Sequence, residues 1–169
     1  MKRLILARHA KTEVLRYDIS DYQRKLVERG INDSKLLANK LFLKGIIPDL
    51  IISSPAKRAI ETSLLFAAAL QYPSKLIKQV DDLYDGFTTQ EFLELLDRLG
   101  QNNETIMAVG HNPSIEYLAF NLTEEFYQNV PTCTVIGIDF QIDKWSDIEV
   151  RTGKLAFYEY PKKYKQSKQ

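Results

Sequence analysis

The chain has few of the features that mark a disulfide-stabilised, membrane-bound or strongly charged protein. It contains one cysteine, Cys133, which excludes an intramolecular disulfide and suits a reducing compartment. Its apolar runs are far shorter than the roughly 20 residues of a membrane-spanning helix. Basic and acidic residues number 23 and 22, so the net charge gives no reason to expect nucleic acid or an anionic membrane as a partner.

The N-terminal segment does not have the pattern of a secretory signal. Lys2 and Arg3 precede only four apolar residues before Arg8, whereas the apolar core of a secretory signal has roughly 7–15 residues. We therefore expect a cytoplasmic protein. Cys133 lies in the strand-like run VPTCTVIGIDF, so we expect a buried thiol rather than a reactive one.

Short apolar runs alternate with segments of helical periodicity along most of the chain. The patterns predict strands at residues 2–7, 50–52, 75–80 and 105–109, and helices at residues 28–44, 55–70, 88–99 and 113–122. Two late strands, at about 134–142 and 153–160, follow one another without a helix. This order predicts a three-layer α/β/α fold with a mostly parallel central sheet and an antiparallel edge strand. We expect one domain over residues 1–161 and a polar flexible tail over 162–169.

Arginine and histidine residues follow the predicted strands at the points where those strands end. Arg8 and His9 follow the first strand, Arg58 lies one turn into the helix after the second, and His111 and Asn112 follow the fourth. His9 and His111 are the only two histidines in the chain. Because ligands of open α/β sheets bind beyond the carboxyl ends of the strands, we expect these side chains to converge.

Such a cluster has the chemistry needed to bind and transfer a phosphoryl group. Guanidinium groups bind phosphate oxygens in pairs, and helices that begin at Pro55 or Pro113 direct free backbone N–H groups to the same edge. A neutral imidazole beside the anion can attack phosphorus, and a second, protonated imidazole can stabilise the equatorial oxygens. A metal is disfavoured because the arginines would repel a dication and no carboxylate shares these motifs.

Four segments in register resemble the histidine phosphatase superfamily, with its phosphoglycerate-mutase-like fold, and more closely its SixA-like phosphohistidine phosphatase branch. They read LARHAKTE, DYQRKLVERG, IISSPAKRAIET and VGHNPSIE. The family signature RHG reads Arg8-His9-Ala10 here, and alanine at this position is common in the SixA-like branch. The resemblance implies a phosphatase without metal or cofactor in which His9 becomes phosphorylated, while Arg8, Arg58 and His111 form the phosphate pocket.

The remaining site residues are assigned less directly by the resemblance. Arg24 and Asn112 are expected among the substrate-binding residues, where Arg24 either touches the substrate or supports its loop and Asn112 shapes the pocket. A carboxyl group usually protonates the leaving group. The SixA-like pattern offers Asp21 for this role, whereas larger relatives use an acid after the third strand, where Asp82 and Asp85 lie.

The short connections between the motifs leave little chain to build a cap over the site. An open site suits a phosphorylated side chain on another protein, so a protein phosphohistidine phosphatase is the leading hypothesis. A small phosphorylated substrate, hydrolysed by the same chemistry, is an alternative. A mutase and a non-catalytic phosphate-binding module are further alternatives. No nucleic acid and no membrane are expected as partners.

Overall fold

Four strands of the central sheet run parallel, and the two late strands add an antiparallel pair at one edge. The computed structural model describes residues 1–165. Its strands are β1 (Lys2–Arg8), β2 (Leu50–Ser53), β3 (Lys78–Gln79), β4 (Thr105–Gly110), β5 (Val135–Phe140) and β6 (Lys154–Glu159). Its α-helices are α1 (Glu28–Leu43), α2 (Lys57–Ala69), α3 (Asp82–Asp85), α4 (Thr89–Gly100), α5 (Ser114–Leu122) and α6 (Pro161–Lys165). The strand order is β3-β2-β4-β1-β5-β6, which confirms the predicted fold class.

Alternate residues of β1 face the two sides of the sheet, and both sides are covered by helices. Leu4 and Leu6 pack in one apolar cluster with α4 and α5, whereas Ile5 and Ala7 pack in the other with α1 and α2. All four side chains are fully buried. A strand covered on both faces needs consecutive apolar residues, which explains why β1 is a continuous apolar run rather than an alternating one.

The predicted third strand is wrong in extent. Residues 75–80 contain only the two-residue strand β3, preceded by a 3-10 turn at Ser74–Leu76. Lys78 and Gln79 are exposed and pair with β2 alone, at the sheet edge. Few apolar contacts are therefore available to extend this strand. Helix α3, which follows it, is too short to show helical periodicity in the sequence.

The described part of the predicted tail is helical and anchored. Lys165 donates a hydrogen bond from Nζ to Oδ1 of Asp33 in α1, over 2.5 Å, and Lys163 forms an ion pair with Glu159. The prediction of a flexible tail over 162–169 is therefore wrong for residues 162–165. Residues 166–169 lie outside the described residues. No helix in the described part of the chain has the length and apolar character needed to cross a membrane.

Candidate active site

The register between β1 and β4 places the two histidines side by side. Arg8 at the end of β1 lies opposite Gly110 at the end of β4. The backbone N–H of His9 donates to the carbonyl oxygen of Gly110 over 3.0 Å. The ring centroids of His9 and His111 are consequently only 5.1 Å apart. The apolar sequences of two parallel strands thus fix the separation of two side chains that are about a hundred residues apart in the chain.

A cavity of about 330 Å³ opens at this end of the sheet, and we call it the strand-end cavity. The predicted site residues that line it are Arg8, His9, Arg24, Arg58, His111 and Asn112. Asp21 contacts the cavity residues Arg58 and Arg24 through hydrogen bonds. The structure therefore brings together residues from both strand ends, from helix α2 and from the loop that follows β1.

His9 is held as a neutral imidazole with a defined tautomer. Its Nδ1 lies 2.8 Å from the carbonyl oxygen of Ala10, and because a carbonyl only accepts, Nδ1 carries the proton and donates it. The lone pair is then on Nε2. Burial, together with the charges of His111, Arg58 and Arg8, outweighs the opposing effect of the Ala10 bond and lowers the pKa of His9 to about 3. A neutral imidazole with a free Nε2 is the form that can attack phosphorus.

His111 receives its tautomer from Ser54. The Ser54 hydroxyl oxygen accepts the backbone N–H of Ala56 over 3.2 Å, and it lies 2.7 Å from Nε2 of His111. We assign the hydroxyl proton of Ser54 to the bond with Nε2, which leaves the ring proton of neutral His111 on Nδ1. Nδ1 is thereby a donor, and it can contribute a hydrogen bond to an anion without the ring being protonated.

The pKa of His111 does not favour the protonated second imidazole that was expected from the sequence. Burial, followed by the charge of Arg58, lowers the pKa of His111 to about 4. The sequence could not reveal this, because the shift arises from burial next to a guanidinium from another part of the chain. A bound dianion would oppose the effect of Arg58 and favour the protonated ring.

These shifts predict an unusual histidine titration. In buffer without phosphate, NMR should show neither imidazole gaining a proton between about pH 8 and pH 5, because both folded pKa values lie below the ordinary 6.5. As the unfolded state binds more protons below pH 6.5, the free energy of unfolding should also fall as the pH decreases from there toward about 3. Tungstate, a tetrahedral oxyanion like phosphate, should raise the titration midpoint of at least one of the two histidines, because its negative charge favours the protonated ring. With only two histidines in the chain, a midpoint near 6.5 without anion would contradict the burial described here.

Four buried side-chain atoms of residues that line the strand-end cavity have no partner in residues 1–165. One is the acceptor Oδ1 of Asn112, and the other three are nitrogen atoms. They are Nε of Arg8, Nε of Arg58 and Nδ1 of His111, all buried. Buried donors are normally hydrogen-bonded, so a set of three around one cavity indicates a bound acceptor. Because the side chains are cationic or neutral donors, that acceptor is an anion with several oxygen atoms. No group of three or more histidine, cysteine or acidic residues suited to a metal ion occurs in the described part of the chain.

Arg58 is oriented by Asp21 through two hydrogen bonds. Its Nη1 donates to the backbone carbonyl of Asp21 over 2.6 Å, and its Nη2 donates to Oδ2 over 3.0 Å. Arg24 binds Oδ1 of the same carboxylate from Nε and Nη2, over 3.0 and 2.8 Å. The hydroxyl of Tyr84 donates to Oδ2 over 3.0 Å. One carboxylate therefore fixes both arginines and contacts a tyrosine whose ring lies edge-on to His111, with 5.7 Å between centroids.

This network keeps Asp21 ionised. Burial alone would raise the pKa of Asp21, but the hydrogen bonds from Arg58, Arg24 and Tyr84 outweigh it and lower the pKa to about 2. A carboxyl group in this state holds no proton near neutral pH, so the structure does not favour Asp21 as a proton donor. The alternatives Asp82 and Asp85 are exposed, and Asp82 lines a different cavity with Glu91, Glu94 and Arg98.

On the other side of the cavity, the backbone carbonyl of Val130 orients the side chains of Arg8 and Asn112. It accepts a hydrogen bond from Nη1 of Arg8 over 2.9 Å and another from Nδ2 of Asn112 over 3.0 Å. The same amide nitrogen of Asn112 lies 3.2 Å from Oε2 of Glu116. Since both amide protons of Asn112 are used in this way, Asn112 ties the loop at Val130 to helix α5 and has no donor left for an anion.

Comparison with known proteins identifies the family. The model of the histidine phosphatase superfamily, branch 1, matches residues 4–96, more than half of the chain. The chain belongs to this superfamily. An uncharacterized chloroplastic protein of Arabidopsis thaliana is 30% identical over 159 residues, a match that covers 90% of this chain and 72% of the relative.

Solved structures place the chain with the SixA-like members of the superfamily. The protein histidine phosphatase SixA, in complex with tungstate, superposes with a TM-score of 0.81 at 20% identity and covers 96% of this chain and 99% of its own. A provisionally assigned phosphohistidine phosphatase SixA from Agrobacterium tumefaciens has a TM-score of 0.78 at 25% identity, covering 95% and 98%. The resemblance expected from the four sequence motifs is thus confirmed.

The alanine that replaces glycine in the superfamily signature is accommodated in the core. Ala10 is fully buried in the apolar cluster under α1 and α2, and its backbone N–H donates to Oγ1 of Thr62 over 3.0 Å.

The buried thiol of Cys133 belongs to the same cluster, as expected, and burial raises its pKa to about 12. Neither Tyr84 nor Val130 was predicted for the site, although Tyr84 lies between the two acids considered in DDLYDG.

Proposed function

We propose that this member of the superfamily is a protein phosphohistidine phosphatase that acts through a phosphorylated His9. The observation that carries the proposal is the convergence of Arg8, His9, Arg58 and His111 on one cavity, with the lone pair of His9 on Nε2. The proposed substrate is a phosphorylated side chain of another protein. A cytoplasmic location remains a prediction from the sequence.

The reaction would proceed in two displacements on phosphorus. Nε2 of His9 attacks, the bond from phosphorus to the substrate nitrogen breaks, and the electron pair leaves with that nitrogen. The substrate ring takes a proton from solvent and departs as neutral imidazole. Water then attacks phosphorus, the bond to Nε2 breaks, the water loses a proton to solvent, and phosphate departs. Arg8, Arg58 and the Nδ1–H of His111 are placed to stabilise the three equatorial oxygens in both steps. These residues supply the positive charge, so we propose that no metal is required.

The ionised state of Asp21 supports phosphohistidine as the substrate. An alkyl phosphate ester needs a proton on its departing oxygen, whereas the imidazole nitrogen of phosphohistidine departs more readily. Asp21 is held ionised by its two arginines and Tyr84. We propose that Asp21 is a positioning residue that orients Arg58 and Arg24 rather than the proton donor.

An Asp21→Asn variant separates these two roles. We expect kcat/KM to fall by about tenfold to a hundredfold, because the amide loses the charge that holds the guanidinium of Arg58. The loss should be the same for a series of aryl phosphates whose leaving groups differ in pKa. Tyr84→Phe, which removes one hydrogen bond from Asp21, should give a smaller loss that is equally uniform. A loss that grows with the pKa of the leaving group would instead identify Asp21 as the general acid.

The substrate class is tested by comparing turnover across chemical classes. Phosphohistidine peptides should be hydrolysed with a higher kcat/KM than sugar phosphates and nucleotides, and EDTA should not change the rate.

The volume of the strand-end cavity, about 330 Å³, is also compatible with a small phosphomonoester. Preference for one such ester would favour that second candidate. Phosphate exchange between two positions of a substrate would indicate a mutase, and phosphate binding without any hydrolysis would indicate a binding module.

A further inference from the structure

Two further depressions on the surface follow one another beside the strand-end cavity. The first, which we call the groove, has a volume of about 780 Å³ and shares Arg8 and Thr132 with the strand-end cavity. The second, which we call the aromatic hollow, has a volume of about 290 Å³ and shares Glu116, Tyr127 and Gln128 with the groove. The groove therefore lies between the candidate active site and the aromatic hollow, and it shares lining residues with each of them.

The aromatic hollow exposes large apolar side chains. Tyr117, Phe120 and Tyr127 are 63%, 46% and 74% exposed, while Phe126 forms a buried part of the lining. The rings of Phe120 and Tyr127 meet edge to face, with centroids 6.3 Å apart. Exposed apolar side chains grouped in this way are typical of an interaction site.

Helix α5 sets the distance between the candidate active site and the aromatic hollow. Asn112, just before α5, lines the strand-end cavity, and Phe120 lines the aromatic hollow. Phe120 lies eight positions after Asn112, and at about 1.5 Å per helical residue the two ends lie about 12 Å apart. An extended polypeptide covers this distance in about four residues.

We propose that the groove and the aromatic hollow bind the polypeptide that carries the phosphoryl group, with an apolar side chain of that partner in the aromatic hollow. The lining residues Arg8 and Thr132, which the groove shares with the strand-end cavity, support this occupant. The rest of a protein whose phosphoryl group is bound at His9 must extend from the site along an open side. This inference rests on the proposed function. It adds that an apolar side chain of the substrate is recognised as well as the phosphoryl group.

Binding of designed peptides tests the proposal without requiring turnover. The probes carry a non-hydrolysable phosphotriazole analogue of phosphohistidine and a single leucine at varied spacing on either side, and glycine replaces leucine in the reference peptides. An extended chain spans about 3.3 Å per residue, so a leucine about three or four residues away should lower Kd most, by about tenfold relative to glycine. Phe120→Ala should remove this gain, and Tyr127→Ala should reduce it. The matched control is Phe42→Ala, which removes a 36% exposed aromatic ring on α1 and should leave the gain intact.

Equal Kd values for the leucine and glycine peptides at every spacing, or no binding at all, would overturn the proposal. So would a gain that survives Phe120→Ala and Tyr127→Ala in variants that remain folded by circular dichroism. Hydrolysis of free phosphohistidine by the same preparations tests the proposed function separately. That rate should be unchanged in Phe120→Ala, and its absence in the wild-type chain would count against the phosphatase and not against the docking surface.

Discussion

A His9→Gln variant is expected to lose at least about 10³-fold in kcat, because the only proposed nucleophile is removed. Glutamine keeps a polar side chain of moderate length at this buried position but has no basic nitrogen. With a labelled phosphodonor, the wild-type chain should become labelled and the variant should not. The label should survive alkali and be released by acid, since phosphorus is then bound to nitrogen.

A His111→Gln variant is the matched comparison for this experiment. The two histidines have ring centroids 5.1 Å apart in the same cavity, so either could in principle be the residue that is labelled. Nε2 of His111 is engaged by Ser54, whereas only Nδ1 of His9 is engaged. We expect His111→Gln to be labelled more slowly, but still to be labelled. Label that persists in His9→Gln and disappears in His111→Gln would reverse the assignment.

An Arg58→Ala variant is expected to lose about 10²- to 10³-fold in kcat/KM. Arg58 lines the strand-end cavity, is only 5% exposed, and has a buried Nε without a partner in the described chain. Its removal takes a permanent positive charge from the phosphoryl site and one of the two arginine partners from Asp21.

Arg58→Lys should restore little of this loss. The lysine ammonium is a single point charge and cannot bind the carbonyl and carboxylate of Asp21 while also presenting an Nε–H to the substrate. The control is Lys57→Ala, which removes an exposed cation from the neighbouring position of the same helix. A decrease within about threefold for Arg58→Ala, in a variant that folds normally, would show that Arg58 is not part of the phosphoryl site.

The positions of the two histidines were predictable because they depend on strand ends. Apolar runs at β1 and β4 are buried on both faces, and parallel pairing aligns Arg8 with Gly110. A polar residue immediately after each strand must then emerge at the same edge. The same reasoning succeeds for Arg58, which lies at the start of α2 just beyond β2.

The protonation state of Asp21 could not be predicted from residue type. A carboxyl group near a phosphoryl site is an ordinary candidate for the proton donor, and the sequence alone supported that interpretation. The loop between β1 and α1 has no apolar periodicity, so nothing in it shows that Asp21 meets Arg58 and Tyr84. Those contacts, and not the residue itself, hold the pKa at about 2.

Tyr84 and Val130 were missed for two different physical reasons. Tyr84 lies in the four-residue helix α3 after a two-residue strand, and elements of this length leave no periodic signal. Val130 acts through its backbone carbonyl, a group that nearly every residue could provide. Local patterns therefore predict which strand ends meet, but they do not predict which loops fold back to orient the side chains there.

The most direct test of the central claim is a crystal structure of the protein with vanadate. We expect a five-coordinate vanadate bonded to Nε2 of His9, with its equatorial oxygens bound by Arg8, Arg58 and Nδ1 of His111. Vanadate bound at any other place, or held in this cavity without contact to His9 and Arg58, would contradict that claim.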